Sequence, residues 1–167
     1  MIDRSNPFYP DRFALKSCEL VRMAERDALS IANLLAGMDP WQKLGYGPEG
    51  LAKFLLQNDP FLHRYKVMIA GKLAGVFCVQ YPWLRGAYIS LIAIFEPHSG
   101  KGVGAELVNW LAGQMRGRFR NLWALVSSFN THARGFYKRQ GFVELAVLKD
   151  LVQPGYDEIL VRKMLTE

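Results

Sequence analysis

A chain of 167 residues, half of them hydrophobic, carries apolar material for one sizeable core, so a single domain over residues 1–167 is expected, with residues 1–12 as an N-terminal extension. No apolar run approaches the roughly 18 residues of a membrane span, and the start, Met1-Ile2-Asp3-Arg4-Ser5-Asn6-Pro7, does not read as a signal peptide, which points to a cytoplasmic protein with no membrane partner. A net charge of +6 suits an anionic partner, while Cys18 and Cys78 stand too far apart for a zinc or redox motif and no metal is expected.

In chain order, residues 13–22 read as a first strand through Leu15, Cys18, Leu20 and Val21, and residues 24–36 turn to helical spacing through Ala28, Ile31, Leu34 and Leu35. Gly37 stops that helix. Pro48 suits the first turn of a second helix carrying Leu51, Phe54 and Leu55, which Asn58-Asp59-Pro60 ends. Residues 65–70 and 73–80 flank Gly71-Lys72 as a β-hairpin whose second arm is broken by Tyr81-Pro82-Trp83. Residues 87–95 follow, with Ile89 to Ile94 apolar nearly throughout, as in a strand covered on both faces at the centre of a sheet.

Beyond the glycines, Val103, Leu107, Leu111 and Met115 recur at every fourth position and mark a long amphipathic helix, with Arg116, Arg118 and Arg120 near its negative pole. Residues 122–126 form another strand. Ala133, Phe136 and Tyr137 mark a short helix stopped at Gly141, and residues 143–148 and 159–164 are the last strands, separated by Gln153-Pro154-Gly155. A hairpin followed by a strand-helix-strand unit implies the α/β class, with a mixed sheet flanked by helices on both faces.

Ser99-Gly100-Lys101-Gly102-Val103-Gly104 joins the buried strand to the long helix, so successive backbone N–H groups point outward at the helix's positive pole and form an anion site. A nucleotide-triphosphate loop fails here, because position 95 is Phe and Gly102 follows Lys101. A dinucleotide fingerprint is loosely matched by Gly100, Gly102 and Ala105, but residues 116–124 hold no acid for a ribose. A coenzyme A pyrophosphate and a plain glycine-rich turn without ligand remain.

Leu91-Ile92-Ala93-Ile94 followed by Ser99-Gly100-Lys101-Gly102-Val103-Gly104-Ala105-Glu106-Leu107 resembles the acetyl-CoA-binding motif of the GNAT superfamily of N-acetyltransferases, R/Q-x-x-G-x-G/A. Farther along, Leu122-Trp123, Val126, Asn130, Ala133, Phe136-Tyr137 and Gly141-Phe142 resemble that superfamily's second motif, and in its ribosomal-protein N-terminal acetyltransferases in particular. The two motifs make residues 87–145 the expected cofactor-binding core. The resemblance implies the acyl-CoA N-acyltransferase fold and transfer of an acetyl group from acetyl-CoA to a primary amine by direct attack in a ternary complex. It further implies that backbone N–H groups of Ser99, Gly100, Lys101, Gly102, Val103 and Gly104 hold the pyrophosphate and that Ile92 and Ile94 offer main-chain contacts to the pantetheine arm and thioester. Asn130 bonds that arm, and Tyr137 gives a proton to the departing thiolate. Tyr137 as plain core packing is the competing reading, and so is a non-catalytic acyl-CoA sensor or interaction module on the same fold. Ser99 stands where the motif has Arg or Gln, so one phosphate contact is missing, with Lys101, Arg134, Lys138 and Arg139 available to compensate.

An ammonium acceptor must lose a proton before it attacks. Where histone-acetylating relatives carry a glutamate this chain has Tyr88, and where the ribosomal-protein relatives carry one it has Leu125. Glu96 is the nearest carboxylate in sequence, Tyr88 and Ser90 offer a route through water, and His98 and His132 sit in polar loops, so the base stays unassigned. Trp41, Tyr46, Tyr81, Trp83 and Tyr156 fall in segments that border the acceptor cleft in the family. The acceptor itself is not legible, a homodimer is a further expectation, and the dispersed basic residues give no nucleic-acid reader motif.

Overall fold

The computed structural model describes residues 6–166; residues 1–5 of the expected N-terminal extension lie outside them. Strands β1 (Arg12–Ala14) and β2 (Glu19–Arg22) lead through one 3-10 turn into helices α1 (Ala28–Ala36) and α2 (Pro48–Leu56). Strands β3 (Leu62–Ile69), β4 (Lys72–Trp83) and β5 (Gly86–Ile94) precede helix α3 (Val103–Met115). Strand β6 (Asn121–Ser127), helix α4 (Thr131–Arg139), and strands β7 (Val143–Gln153) and β8 (Tyr156–Met164) complete the chain. The strands form one mixed sheet in the order β1-β2-β3-β4-β5-β6-β8-β7, in which β5 and β6 run parallel and every other pair antiparallel.

Period-two alternation sends the sheet's apolar side chains to two separate cores. On one face Leu20, Val67, Phe77 and Leu122 pack with Val103, Leu107, Leu111 and Met115 of α3 and with Tyr137 of α4. On the other, Val76, Cys78, Leu91 and Ala93 meet Ala28, Ile31 and Leu35 of α1 and Leu51 and Leu55 of α2. Helices therefore cover both faces of a mixed sheet, the expected class. Trp110 of α3 lies edge-on to Phe8, Phe13, Tyr65 and Phe77 and ties the β1–β2 end of the sheet to that helix.

The structure departs from the sequence expectation at the ends of elements. Residues 13–22 form a hairpin and not one strand: Leu15 N–H bonds the Cys18 carbonyl at 2.9 Å across Lys16-Ser17, a turn without glycine, proline or asparagine to announce it. Strand β4 runs through Pro82 to Trp83, because the ladder with β5 skips from Gln80 to Trp83 and the proline's missing N–H falls in that irregularity. Within the segment expected as an extension, Phe8 is fully buried, stacked on His63 at 4.8 Å, and Tyr65 Oη donates to its carbonyl at 3.1 Å.

One irregularity governs the centre. Cys78 pairs with Leu91 and Val79 with Ile89, which leaves Ser90 as an extra residue in β5, its Oγ donating to the Cys78 carbonyl at 3.2 Å. An inserted residue shifts the alternation by one, so Ala87 and Ile89 join the α3 core while Leu91 and Ala93 join the α1–α2 core. The run from Ile89 to Ile94, apolar on both sides of Ser90, is what this crossing requires.

Candidate active site

Strands β5 and β6 are paired only where Gly86–Ile89 faces Asn121–Ala124; beyond Ile89 and Ala124 they part, although β5 continues to Ile94 and β6 to Ser127. The bend at Ser90 turns β5 away from its neighbour at that point. The gap opens into a cavity of about 670 Å³ that runs from the glycine turn, along Tyr88 to Ile94 and Leu125 to Ser127, to the connection between α1 and α2. Main-chain groups of the parted strands are exposed to whatever enters, at the carboxyl end of a parallel pair where α/β sheets bind ligands.

At the glycine turn, Gly100 and Gly102 have φ of +72° and +85°, and a Cβ at either would stand in open space on the cavity wall. Gly102 is the N-cap of α3, and the first intrahelical bond runs from Glu106 N–H to its carbonyl at 3.1 Å. The amides of Val103, Gly104 and Ala105 are consequently left for an external acceptor at the positive pole of a helix of 13 residues. Val103 sends its side chain into the core, 5% exposed. Gly104 serves a different need: a Cβ there would meet the Phe136 ring at 3.2 Å, so glycine lets α4 close against α3.

The cavity brings together Ile92, Ile94, Ser99, Gly100, Gly102, Val103, Gly104, Asn130 and Tyr137; Lys101 is not on its wall. Asn130 is the N-cap of α4, its side-chain oxygen accepting from Ala133 N–H at 3.0 Å, which leaves its amide donors for the cavity. Of the cations offered in place of the motif's Arg or Gln, Arg134 is engaged by Glu144 at 2.8 Å and the Ser128 carbonyl at 3.1 Å, and Lys138 lies off the wall, whereas Arg139 lines it.

Tyr137 is 5% exposed in the α3 core, packs edge-on against Phe136 and Phe142, and makes no hydrogen bond among the described residues. Burial, and then the neighbouring Tyr88, push its phenol above the ordinary range, so the group stays protonated. Tyr88 is held up at about 12 by burial and by Glu158. Glu158 is the residue that sequence reading missed. It lies beside Ser127 in the β6–β8 ladder, is 5% exposed, lines the cavity, and accepts a hydrogen bond from Ser127 Oγ at 2.6 Å. Burial raises its carboxyl against the lowering effect of that hydroxyl. The expected last strand began at Ile159, one residue too late to place this acid on a strand; the alternation of Glu158 and Leu160 against Ile159 and Val161 is the signal that locates it.

The other proposed bases separate. Glu96 is exposed and outside the cavity, whereas Tyr88, Ser90, His98 and His132 are on the wall, Ser90 with its hydroxyl donating to the Cys78 carbonyl. Trp41 and Tyr46 line the cavity as expected of acceptor-cleft residues. Tyr81 instead packs on Phe8 and Phe119, Trp83 on Tyr88 and Trp123, and Tyr156 on Phe129.

The sheet is thus split between two parallel strands, with the free amides of α3 at one end of the split and a protonated phenol inside it. The chain belongs to the acetyltransferase (GNAT) family, whose model matches residues 27–142, and this family generally uses acetyl-CoA. Among solved structures, it is similar to an acetyltransferase from Thermus thermophilus, at 22% identity over 92% of this chain and 100% of that one, with a TM-score of 0.67. Ard1 from Thermoplasma volcanium superposes with a TM-score of 0.71 at 18% identity over 91% of this chain and all of the other. A spermidine N-acetyltransferase chimera from Vibrio cholerae and hSSAT does so with a TM-score of 0.72, 20% identity, and coverage of 90% and 96%. At these identities the likeness is one of fold. Comparison with curated protein sequences finds no match. Among the described residues, no helix is long and apolar enough to cross a membrane.

Proposed function

We propose that this protein transfers the acetyl group of acetyl-CoA to a primary amine by direct attack while both are bound. The observation that carries the reading is the continuity of one cavity from the free amides of α3, through the parted β5 and β6, to the Tyr137 phenol. The amides of residues 103–105 and the glycines before them would hold the pyrophosphate, with Arg139 supplying the cation that Ser99 lacks. Asn130 and the open main chain at Ile92 and Ile94 would align the pantetheine arm. Bound there, acetyl-CoA supplies a thioester whose acyl carbon is the electrophile. Tyr137, kept neutral by its buried site, protonates the sulfur that leaves.

Calorimetry with acetyl-CoA, followed by thiol release with a panel of amines, tests this. Tyr137→Phe is expected to keep the affinity for acetyl-CoA and to lose about 100-fold in kcat, the lower range for a general acid. A wild-type chain that binds no acetyl-CoA would overturn the reading.

A further inference from the structure

We propose that Glu158, steadied by Ser127, receives the ammonium group of the acceptor and takes its proton, and that this acceptor bears a single ammonium on an apolar or aromatic body. The inference rests on the acetyl-transfer reading and names the half of the reaction that the cofactor motifs leave open.

The placement follows from strand alternation. Leu122, Ala124 and Val126 of β6 and Ile159 and Val161 of β8 face the α3 core, so Leu125, Ser127 and Glu158 face the opposite side, beneath the connection between α1 and α2. Glu158 therefore enters the cavity from the face opposite Tyr137, and the parted strands let the two meet the same space. Tyr88 links them, since it feels the charge of Glu158 and in turn affects Tyr137.

A carboxylate this deeply buried normally has a cation beside it. Here the groups turned toward Glu158 are the Ser127 hydroxyl on β6, the Tyr88 phenol on β5 and, at its register position on β7, the apolar Leu148. On the cavity wall the other titratable groups are Asp39, Tyr46, His98, His132, Tyr137 and Arg139, and none forms an ion pair with Glu158. An acid held apart from protein cations, in a cavity open to a ligand, is matched by a ligand that brings its own positive charge.

The same wall limits what carries that charge. Beyond Glu158, its only carboxylate among the described residues is Asp39, which is exposed at the rim. The same wall also carries Met38, Trp41, Leu44, Tyr46, Leu51 and Phe54. A polyamine would leave its second and third ammonium groups against this apolar surface, whereas an aromatic or branched apolar body gains by covering it.

The proton inventory closes with these residues. The acceptor ammonium gives one proton to the Glu158 carboxylate, and its freed lone pair forms the C–N bond at the thioester carbon as the C–S bond breaks. The sulfur takes the Tyr137 proton, the phenolate recovers one from the new amide nitrogen, and Glu158 releases its proton to solvent. The net products are the acetamide, the free thiol and one proton. Burial helps the acid in this role, because a raised carboxyl pKa narrows the gap to an alkyl ammonium near 10.4.

The probes are 2-phenylethylamine, a peptide with an N-terminal phenylalanine, and spermidine, tested on the full chain with acetyl-CoA; the first two share the proposed chemistry and differ in source. Glu158→Gln should melt no lower than wild type at pH 8 and keep its affinity for acetyl-CoA while kcat/KM for the preferred monoamine falls at least about 100-fold, with partial return in Glu158→Asp. Ser127→Ala should move the acid limb of the pH–rate profile to higher pH, because the carboxylate loses the donor that stabilises its charged form. Carbon NMR titration of labelled glutamate side chains should show the same displacement without turnover, and a change at Glu158 on adding 2-phenylethylamine. Unaltered kinetics in Glu158→Gln, preference for spermidine, or neither binding nor turnover of the two monoamines would each overturn the proposal. Acetyl-CoA binding by the wild-type chain is the separate readout for the acetyl-transfer reading.

Discussion

Gly102 offers a direct measure of how the proposed cofactor cradle is made. It sits at φ +85° and ψ 0°, and a Cβ built on it touches nothing within 4 Å. Replacement by alanine therefore perturbs the backbone alone, and a left-handed L-residue costs roughly 1–2 kcal/mol. In a chain of this length each kcal/mol lowers Tm by about 2–4 °C, so Gly102→Ala should melt about 2–8 °C below wild type. Asparagine visits that region more readily, and Gly102→Asn should melt nearer to wild type. Affinity for acetyl-CoA should fall in both, because either side chain stands on the cavity wall at the residue that opens α3. Differential scanning calorimetry and isothermal titration separate the two effects. Gly102→Ala melting together with wild type would refute the left-handed turn, and unchanged affinity in both variants would refute its role as the cradle.

Phe8→Ala should cost about 3–5 kcal/mol in urea unfolding, as for other fully buried phenylalanines, because its ring is enclosed by His63, Tyr81 and Trp110. His63 is held at about 4, chiefly by burial and then by Arg22, so the folded state resists its protonation. Below about pH 6.5 the unfolded chain takes up that proton first; stability should fall from there toward pH 4, and His63→Gln should flatten this segment of the Tm–pH curve. Glu158 has the opposite sign. With its folded carboxyl raised, the folded state is relatively weaker once the acid ionises, so Glu158→Gln should match or exceed wild-type Tm at pH 8 and lose that advantage toward pH 4.

Features written in local patterns were legible before the structure. The fourfold spacing of Val103, Leu107, Leu111 and Met115 gave α3 at once, since one apolar face suffices to define a helix. The glycine turn and the second motif supplied Ser99, Gly100, Gly102, Val103, Gly104, Asn130 and Tyr137 of the cavity wall, while Lys101, Leu122, Trp123, Gly141 and Phe142 are not part of it. Nonlocal features were harder. The turn at Lys16-Ser17 lacks special turn residues, and Phe8 owes its burial to β3 and α3, far along the chain. Glu158 falls one residue outside the strand expected from Ile159, and only the pairing of β8 with β6 sets it opposite Ser127. Its chemistry comes from a neighbour 31 positions away, and no window of sequence contains both.

Ser90 divides β5 into two lengths with opposite phase. Upstream, Ile89 must fit the methyl groups of α3; downstream, Leu91 must fit those of α1 and α2. The strand thus acts as a coupling between two cores that otherwise vary independently, and its length is the quantity that cannot drift. Exchange of one apolar residue for another on either side alters a single core, but removal of Ser90 would put Leu91 and Ala93 in the wrong one and draw β5 back alongside β6. The proposed acceptor compartment can therefore diversify by substitution in α1 and α2 while the proposed cradle for the acetyl carrier stays as it is.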